Sequence, residues 1–293
     1  MWVAITAACI TSSMFLSALA PNLLALALVK STVGINISWG NWFIGFLPVG
    51  ILLILTMPLL AYIFYPPEVK FNDEVPRWAS AELVKLGRLT RNEILLLVFV
   101  CCALAMWIFA AAVIEPALAA LLIIGLMLWT GVLEWNDITS NKPAWNTFFW
   151  FATLVALANG LSTTGFIAWL GKEGGILMSG VSPTTATILI VVAFYLLHYL
   201  FASSTAHTTA LLPAALTIAS TIPGMNMQVF CMLMVTSLGV MGIITPYGTG
   251  PSPIYYGSGY LPTKDYWRLG TIFGAIFLAA LLLIGYPWMA MMF

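Results

Sequence analysis

Charge is what this sequence has least of. Asp, Glu, Lys and Arg make up 7% of its 293 residues, where water-soluble domains carry about a quarter, so a domain surrounded by water is excluded. Ten basic and ten acidic residues cancel to zero net charge. With no cationic excess to hold a phosphate backbone, no nucleic-acid partner is expected. Histidine is limited to His198 and His207, with no carboxylate close to either in the chain, and no metal is expected there. Cys9, Cys101, Cys102 and Cys231 lie inside apolar runs without CxxC spacing, the pattern of packing residues and not of a redox or metal centre. No cofactor is expected.

What is present is apolar: 62% hydrophobic residues at a mean hydropathy of +1.03. Residues 174–263 contain no charged side chain, and neither do 1–29, 31–67, 94–114, 116–133, 143–171 and 269–293. A spanning helix takes about 20 apolar residues, so these stretches hold roughly eight or nine crossings and re-entrant segments. Lipid offers no partner to an unpaired amide, and a barrel would show period-two alternation. The chain reads as an all-α polytopic membrane protein whose first partner is the lipid bilayer.

The opening, MWVAITAACITSSMFLSALAPNLLALALVK, has its first cation at Lys30, the opposite polarity to a secretory signal. Ser12, Ser13, Ser17 and Pro21-Asn22 interrupt it midway. It reads as a transmembrane helix broken at its centre and entered partway through a longer protein, so an N-terminally truncated chain is expected. A long helix from 42 to 65 follows. Residues 66–93 carry five of the ten cations, Lys70, Arg77, Lys85, Arg88 and Arg91, and the positive-inside rule makes them a cytoplasmic, solvated connector. Helices follow at about 94–112, 116–133 and 145–161, then a surface helix at 162–175.

The region after 184 is unlike the rest. FASSTAHTTA (201–210) sets a dense hydroxyl cluster between two apolar arms, which suggests a re-entrant helical hairpin over about 184–222. A helix from 226 then meets TPYGTGPSP (245–253), whose prolines and glycines no unbroken helix survives; this broken helix extends to about 260, and a loop carrying Lys264 and Arg268 leads to a last helix at 269–293. Paired interruptions in corresponding positions of two halves are the best sequence pointer to a transporter's site. A broken helix exposes amides at a helix start, which attract carboxylates, and carbonyls at a helix end, which ligate small cations. With nothing basic between 174 and 263, an anion would meet dipoles and hydroxyls. The competing reading of the Ser/Thr cluster is hydrogen bonding between helices.

HYLFASSTAHTTALLPA, GIITPYGTGPSPIYYGSGY and KDYWRLGTIFGAIFL resemble the divalent anion:sodium symporter family, in its bacterial citrate/tartrate exchanger branch, and the resemblance runs through the whole chain. It implies two inverted repeats, each with a re-entrant hairpin and an unwound helix, a homodimer at full length, and elevator-like movement of a transport domain. It divides the chain into the end of a first repeat (1–65), the connector (66–93) and a complete second repeat (94–293). The Ser-Asn-Thr tip of the family's hairpin falls on Ser203, Ser204 and Thr205, with Ser204 in place of Asn. The facing unwound loop falls on Thr249, Gly250 and Pro251, and the loop of the first repeat on 19–22, including Pro21 and Asn22. These are the implied substrate-binding residues. The first hairpin is missing, so the chain alone is expected to be inactive.

The implied activity is exchange of C4 dicarboxylates across the inner membrane, tartrate inward against succinate outward. Citrate/succinate and 2-oxoglutarate/malate exchange are the alternatives, and an inactive truncated product is a further one. A membrane-embedded enzyme would want an acid–base or metal set at mid-membrane, and the sequence offers two histidines and hydroxyls there.

Overall fold

The computed structural model describes residues 1–67, 74–110, 113–178 and 180–293. The side chains of several helical residues between 116 and 167, Asn159 among them, also lie outside the description. The helices are α1 (Trp2–Met14), α2 (Ala20–Val33), α3 (Trp39–Phe64), α4 (Glu74–Leu86), α5 (Arg91–Phe109), α6 (Pro116–Thr130), α7 (Trp135–Thr139), α8 (Lys142–Thr163), α9 (Phe166–Leu177), α10 (Pro183–Leu197), α11 (Ser204–Ser220), α12 (Met227–Met241), α13 (Ser252–Gly257), α14 (Thr263–Ala280) and α15 (Tyr286–Met292). No strand occurs among the described residues. Five segments there are long and apolar enough to cross a membrane: Trp39–Phe64, Arg91–Phe109, Pro183–Leu200, Met227–Ile244 and Thr263–Met292. Three shorter apolar helices accompany them. The all-helical, multi-pass expectation holds.

The chain forms two compact units, one of Met1–Phe64 with Phe148–Phe293, the other of Tyr65–Thr147. In the smaller unit α5 begins with a capping box. The Thr90 amide donates to the Glu93 carboxylate at 2.6 Å and the Glu93 amide to the Thr90 hydroxyl at 3.3 Å, satisfying two donors that a helix start leaves open. Phe99 and Ala103 of α5 pack against Ile123 and Met127 of α6.

In the larger unit α12 is the centre, with every residue from Val229 to Met241 buried. Lipid tails are as apolar as leucine, so close van der Waals contact and hydrogen bonds hold such helices together. Glycine supplies the closeness. A Cβ on Gly239 would lie 2.4 Å from the Ser13 amide nitrogen and 2.7 Å from the Ser12 carbonyl carbon, so α1 and α12 cross backbone against backbone. A Cβ on Gly270 of α14 would lie 2.9 Å from the Ile243 carbonyl oxygen.

Three local expectations change. Residues 162–175 were expected to form a surface helix; α9 does expose Lys172 and Glu173, but its Gly171, Gly174 and Gly175 close on Thr217, Ile218 and Thr221 of α11. The last helix, expected from 269, already begins at Thr263, behind Pro262, with Asp265 in the first turn; a carboxylate there suits the positive end of the helix dipole. The connector contains α4. Near the C-terminus Pro287 offers no N–H to the carbonyl one turn back, and the helix widens into a π turn at Leu281–Gly285.

Two of the three atoms nearest a Cβ on Gly239, the Ser13 nitrogen and the Ser12 carbonyl carbon, are backbone and cannot swing aside. Gly239→Ala is expected to destabilise the protein by about 1–3 kcal/mol, the range for an overpacked contact, whereas Gly250→Ala, whose Cβ would meet nothing within 4 Å, leaves it unchanged. Thermal unfolding of both variants in detergent checks this; equal midpoints would mean that the crossing is loose.

Candidate functional site

The first break lies between α1 and α2. Phe15 (φ −113°, ψ 121°) and Leu19 (φ −139°, ψ 128°) are extended, with a short 3₁₀ turn between them. Pro21 stands in the first turn of α2, where its missing N–H costs nothing. The carbonyls left over at the end of α1 are taken up one by one. Asn22 Nδ2 donates to the oxygens of Ser12 (2.8 Å) and Phe15 (3.3 Å), and Trp42 Nε1 donates to that of Ser13 (2.8 Å).

The second break follows α12. A 3₁₀ turn at Gly242–Ile244 gives way to extended Thr245, then an irregular segment leads to α13. Here tyrosines supply the donors. The Tyr195 hydroxyl lies 3.1 Å from the carbonyl oxygens of Val240 and Gly274, and the Tyr266 hydroxyl donates to that of Thr245 at 3.3 Å. The two breaks are tied to each other: the Val240 amide donates to Ser13 Oγ at 2.8 Å.

The hydroxyl cluster stands at the start of α11. Ser203 is its N-cap, accepting from the Ala206 amide at 3.1 Å, and residues 198–203 turn the chain from α10 into α11. Ser204 is buried and its hydroxyl donates to the Gly248 carbonyl, which joins the tip to the second break. Thr205 is half-buried with its hydroxyl one position further along. In the facing loop the Thr249 and Ser252 hydroxyls are 2.7 Å apart, Gly250 is exposed and Pro251 half-buried. Of Ser203, Ser204 and Thr205 it is therefore Ser204 that meets the second break directly, at Gly248 beside Thr249. Pro21 and Asn22 are connected to it through Ser12, Ser13 and Val240; no hydrogen bond joins Asn22 to Ser204 or Thr249.

Gly248 is enclosed. A Cβ there would sit 2.6 Å from the Gly242 oxygen, 2.8 Å from His198 Nε2 and 2.8 Å from Thr245 Oγ1. His198 and His207 are both buried, their rings 5.1 Å apart and edge to face, with Phe194 and Phe201 against His207. Among the described residues no group of three or more His, Cys, Asp or Glu side chains converges as a metal would need. Sequence reasoning missed Tyr195, Tyr266 and Thr245. For Tyr195 the signal was there, in a tyrosine placed within an apolar helical stretch, since a buried phenol needs an acceptor; Tyr266, among Lys264, Asp265 and Arg268, carried no such signal.

What these parts define is a helical membrane protein with two broken helices crossed at their breaks and a hydroxyl-bearing helix start pressed on one of them. That class has a matching family. All of residues 1–293 match the family described as the sodium:sulfate symporter transmembrane region, and the chain belongs to it, the divalent anion:sodium symporters expected from its motifs. It is 50% identical over 289 residues to the L-tartrate/succinate antiporter of Shigella dysenteriae serotype 1, an alignment covering 99% of this chain and 59% of that protein. The antiporters of the same name from Shigella sonnei and Escherichia coli K12 give the same identity and coverage. The chain therefore spans about 59% of the length of these relatives. It is a multi-pass inner-membrane protein of a family of transporters, not of enzymes.

The geometry ranks two substitutions. Ser204→Ala removes one neutral hydrogen bond, about 1 kcal/mol, while Gly248→Ala forces a Cβ onto a carbonyl oxygen and is expected to cost more, about 1–3 kcal/mol. Thermal unfolding of the two variants side by side tests the order, and a more stable Gly248→Ala protein would reverse it.

Proposed function

We propose that this protein works as a secondary transporter exchanging C4 dicarboxylates, L-tartrate inward against succinate outward. The observation that carries the reading is the meeting of the α11 start with the second break inside a stretch, 174–263, that holds no charged side chain. A dianion there is held by helix-start amides and hydroxyls. Each helix terminus contributes roughly 0.3–2 kcal/mol, enough in concert to bind and little enough singly to release. The relatives, L-tartrate/succinate antiporters, support the substrate pair.

In this reading α10 and α11, within about 184–222, form a re-entrant hairpin. Ser203, Ser204 and Thr205 at its tip, Thr249, Gly250 and Pro251 opposite, and Pro21 and Asn22 in the first break are the substrate-binding residues. Residues 1–65 end a first inverted repeat, 66–93 connect on the cytoplasmic side, and 94–293 form the second repeat. The working unit is a homodimer whose transport domains move elevator-like. Counterflow of labelled succinate into tartrate-loaded proteoliposomes, made with the full-length gene product, tests the function; uptake no greater than in empty vesicles would overturn it.

Thr205→Ala and Thr249→Ala each remove a hydroxyl able to bind a carboxylate. A hydrogen bond to a charged group contributes about 1.5–3 kcal/mol, so each variant is expected to lower transport at least about tenfold with normal membrane insertion. Near-normal uptake by both would return these hydroxyls to packing.

Ser204 stands where the family's tip has Asn, and its hydroxyl proton is committed to the Gly248 carbonyl. An Asn amide would reach further and offer a carbonyl oxygen to a cation. Exchange with little sodium dependence follows: uptake in sodium and in choline media should differ by less than a factor of about two, roughly 0.4 kcal/mol. A steep sodium dependence would show that a cation is bound without the Asn.

A further inference from the structure

The connector was expected to be a solvated loop, yet it contains α4, a helix with no buried residue and with large apolar side chains in the open. Val75 is 57% exposed, Trp78 65%, Leu83 69% and Leu86 80%. At about 100° per residue these four fall within a sector of roughly 140°, while Arg77, Ser80 and Ala81 lie on the other side, together with one apolar residue, Val84, which is 79% exposed. Glu82 projects from the apolar side, where its carboxylate is paired with Lys85 at 2.5 Å.

Tethering says what covers this face. α4 stops at Gly87, whose φ of +72° ends a helix without strain. Four residues later α5 starts at Arg91 as a membrane-spanning segment. Four extended residues reach at most about 14 Å, so the end of α4 cannot leave the headgroup layer by more than that. A helix of 13 residues held so close, with one wide apolar side and a tryptophan in it, has the chemistry of an interfacial helix. Lys85, Arg88 and Arg91 can reach phosphates from such a position with their stems along the apolar surface, and Arg77 adds its charge on the water side. Glu74, Glu82 and Glu93 offset most of that charge, which leaves the apolar face as the main attraction.

We propose that α4 is a membrane-surface element: it lies in the plane of the lipid headgroups, with Val75, Trp78, Leu83 and Leu86 among the upper acyl chains and Arg77 and Ser80 towards water. The connector is then held on the bilayer along its helix and not only at its ends.

The test uses the full-length gene product, with Cys9, Cys101, Cys102 and Cys231 and any further cysteine replaced, in vesicles of phosphatidylethanolamine and phosphatidylglycerol. Single nitroxide labels are placed in turn at positions 75, 77, 78, 80, 81, 83 and 86, and their collisions with oxygen and with a water-soluble nickel chelate are measured. The expected result is an oxygen-to-nickel accessibility ratio at 75, 78, 83 and 86 at least about threefold above that at 77, 80 and 81, as for a helix half sunk in the interface. Uniformly high nickel accessibility would mean a solvated helix and overturn the proposal. Low accessibility to both reagents on the apolar side would mean that protein covers it, and would overturn it equally.

Discussion

A backbone amide or carbonyl with no partner is tolerable in water and costly in a low-dielectric interior, and this constraint organises the larger unit. A straight helix meets it internally; a broken one does not. The second break is largely buried and the first is buried at Leu16, Pro21 and Asn22, and the freed groups find donors and acceptors from other helices. Asn22 and Trp42 serve the end of α1, Tyr195 and Tyr266 serve the end of α12, and Ser13 accepts the Val240 amide. Each partner fixes which helix must lie beside which. Gly239 and Gly270 then let backbones come close enough for those bonds to form. The packing of α1, α3, α10, α12 and α14 is in large part the solution to the two breaks.

The same accounting separates what is structural from what is open to a ligand. The carbonyls at the breaks and the hydroxyls of Ser13, Tyr195 and Tyr266 are engaged within the protein. Thr205 is half-buried in the first turn of α11, whose first amides have no intrahelical carbonyl to bond, and Gly250 is exposed and Pro251 half-buried in the loop that follows Gly248. The surface left over at the tip thus has donor character and no formal charge, which is what the proposed dicarboxylate site uses.

How much of this was legible in the sequence depended on whether a feature is local. Pro21-Asn22, the Ser203–Ser204–Thr205 cluster and the prolines and glycines of 245–253 mark breaks because each conflicts with a helix on its own, and the structure bends the chain at each of those places. The spans were legible because charge is absent from them. Partnership was not. Nothing local says that Tyr195 reaches Val240, or that Gly171, Gly174 and Gly175 form a face against α11, since those facts belong to the neighbour as much as to the residue. The start of α14 was misplaced for a related reason: Lys264, Asp265 and Arg268 read as loop by polarity, but Pro262 and the helix dipole decide the local conformation there. α4 was hidden by composition, its charges dominating the average while Val75, Trp78, Leu83 and Leu86 share one side.

The links around the tip differ in strength, and the difference bears on movement. α11 lies along α2 and α9, with glycine-lined contacts at Thr217, Ile218 and Thr221, many small dispersion contacts that are large together. Between the turn that leads into α11 and the second break the hydrogen bonds are those from Ser204 to Gly248 and from the Tyr247 hydroxyl to the Tyr199 carbonyl at 3.4 Å, neutral bonds of about 1 kcal/mol net each. A displacement that parts the α11 start from the loop therefore breaks little, whereas one that slides α11 along α2 breaks much. Since Gly248 is enclosed by Gly242, Thr245 and His198, the loop side of the Ser204 bond is held in place. In the proposed exchanger the tip is then the side that gives, and the first residues of α11 are where an entering dicarboxylate would meet the least resistance.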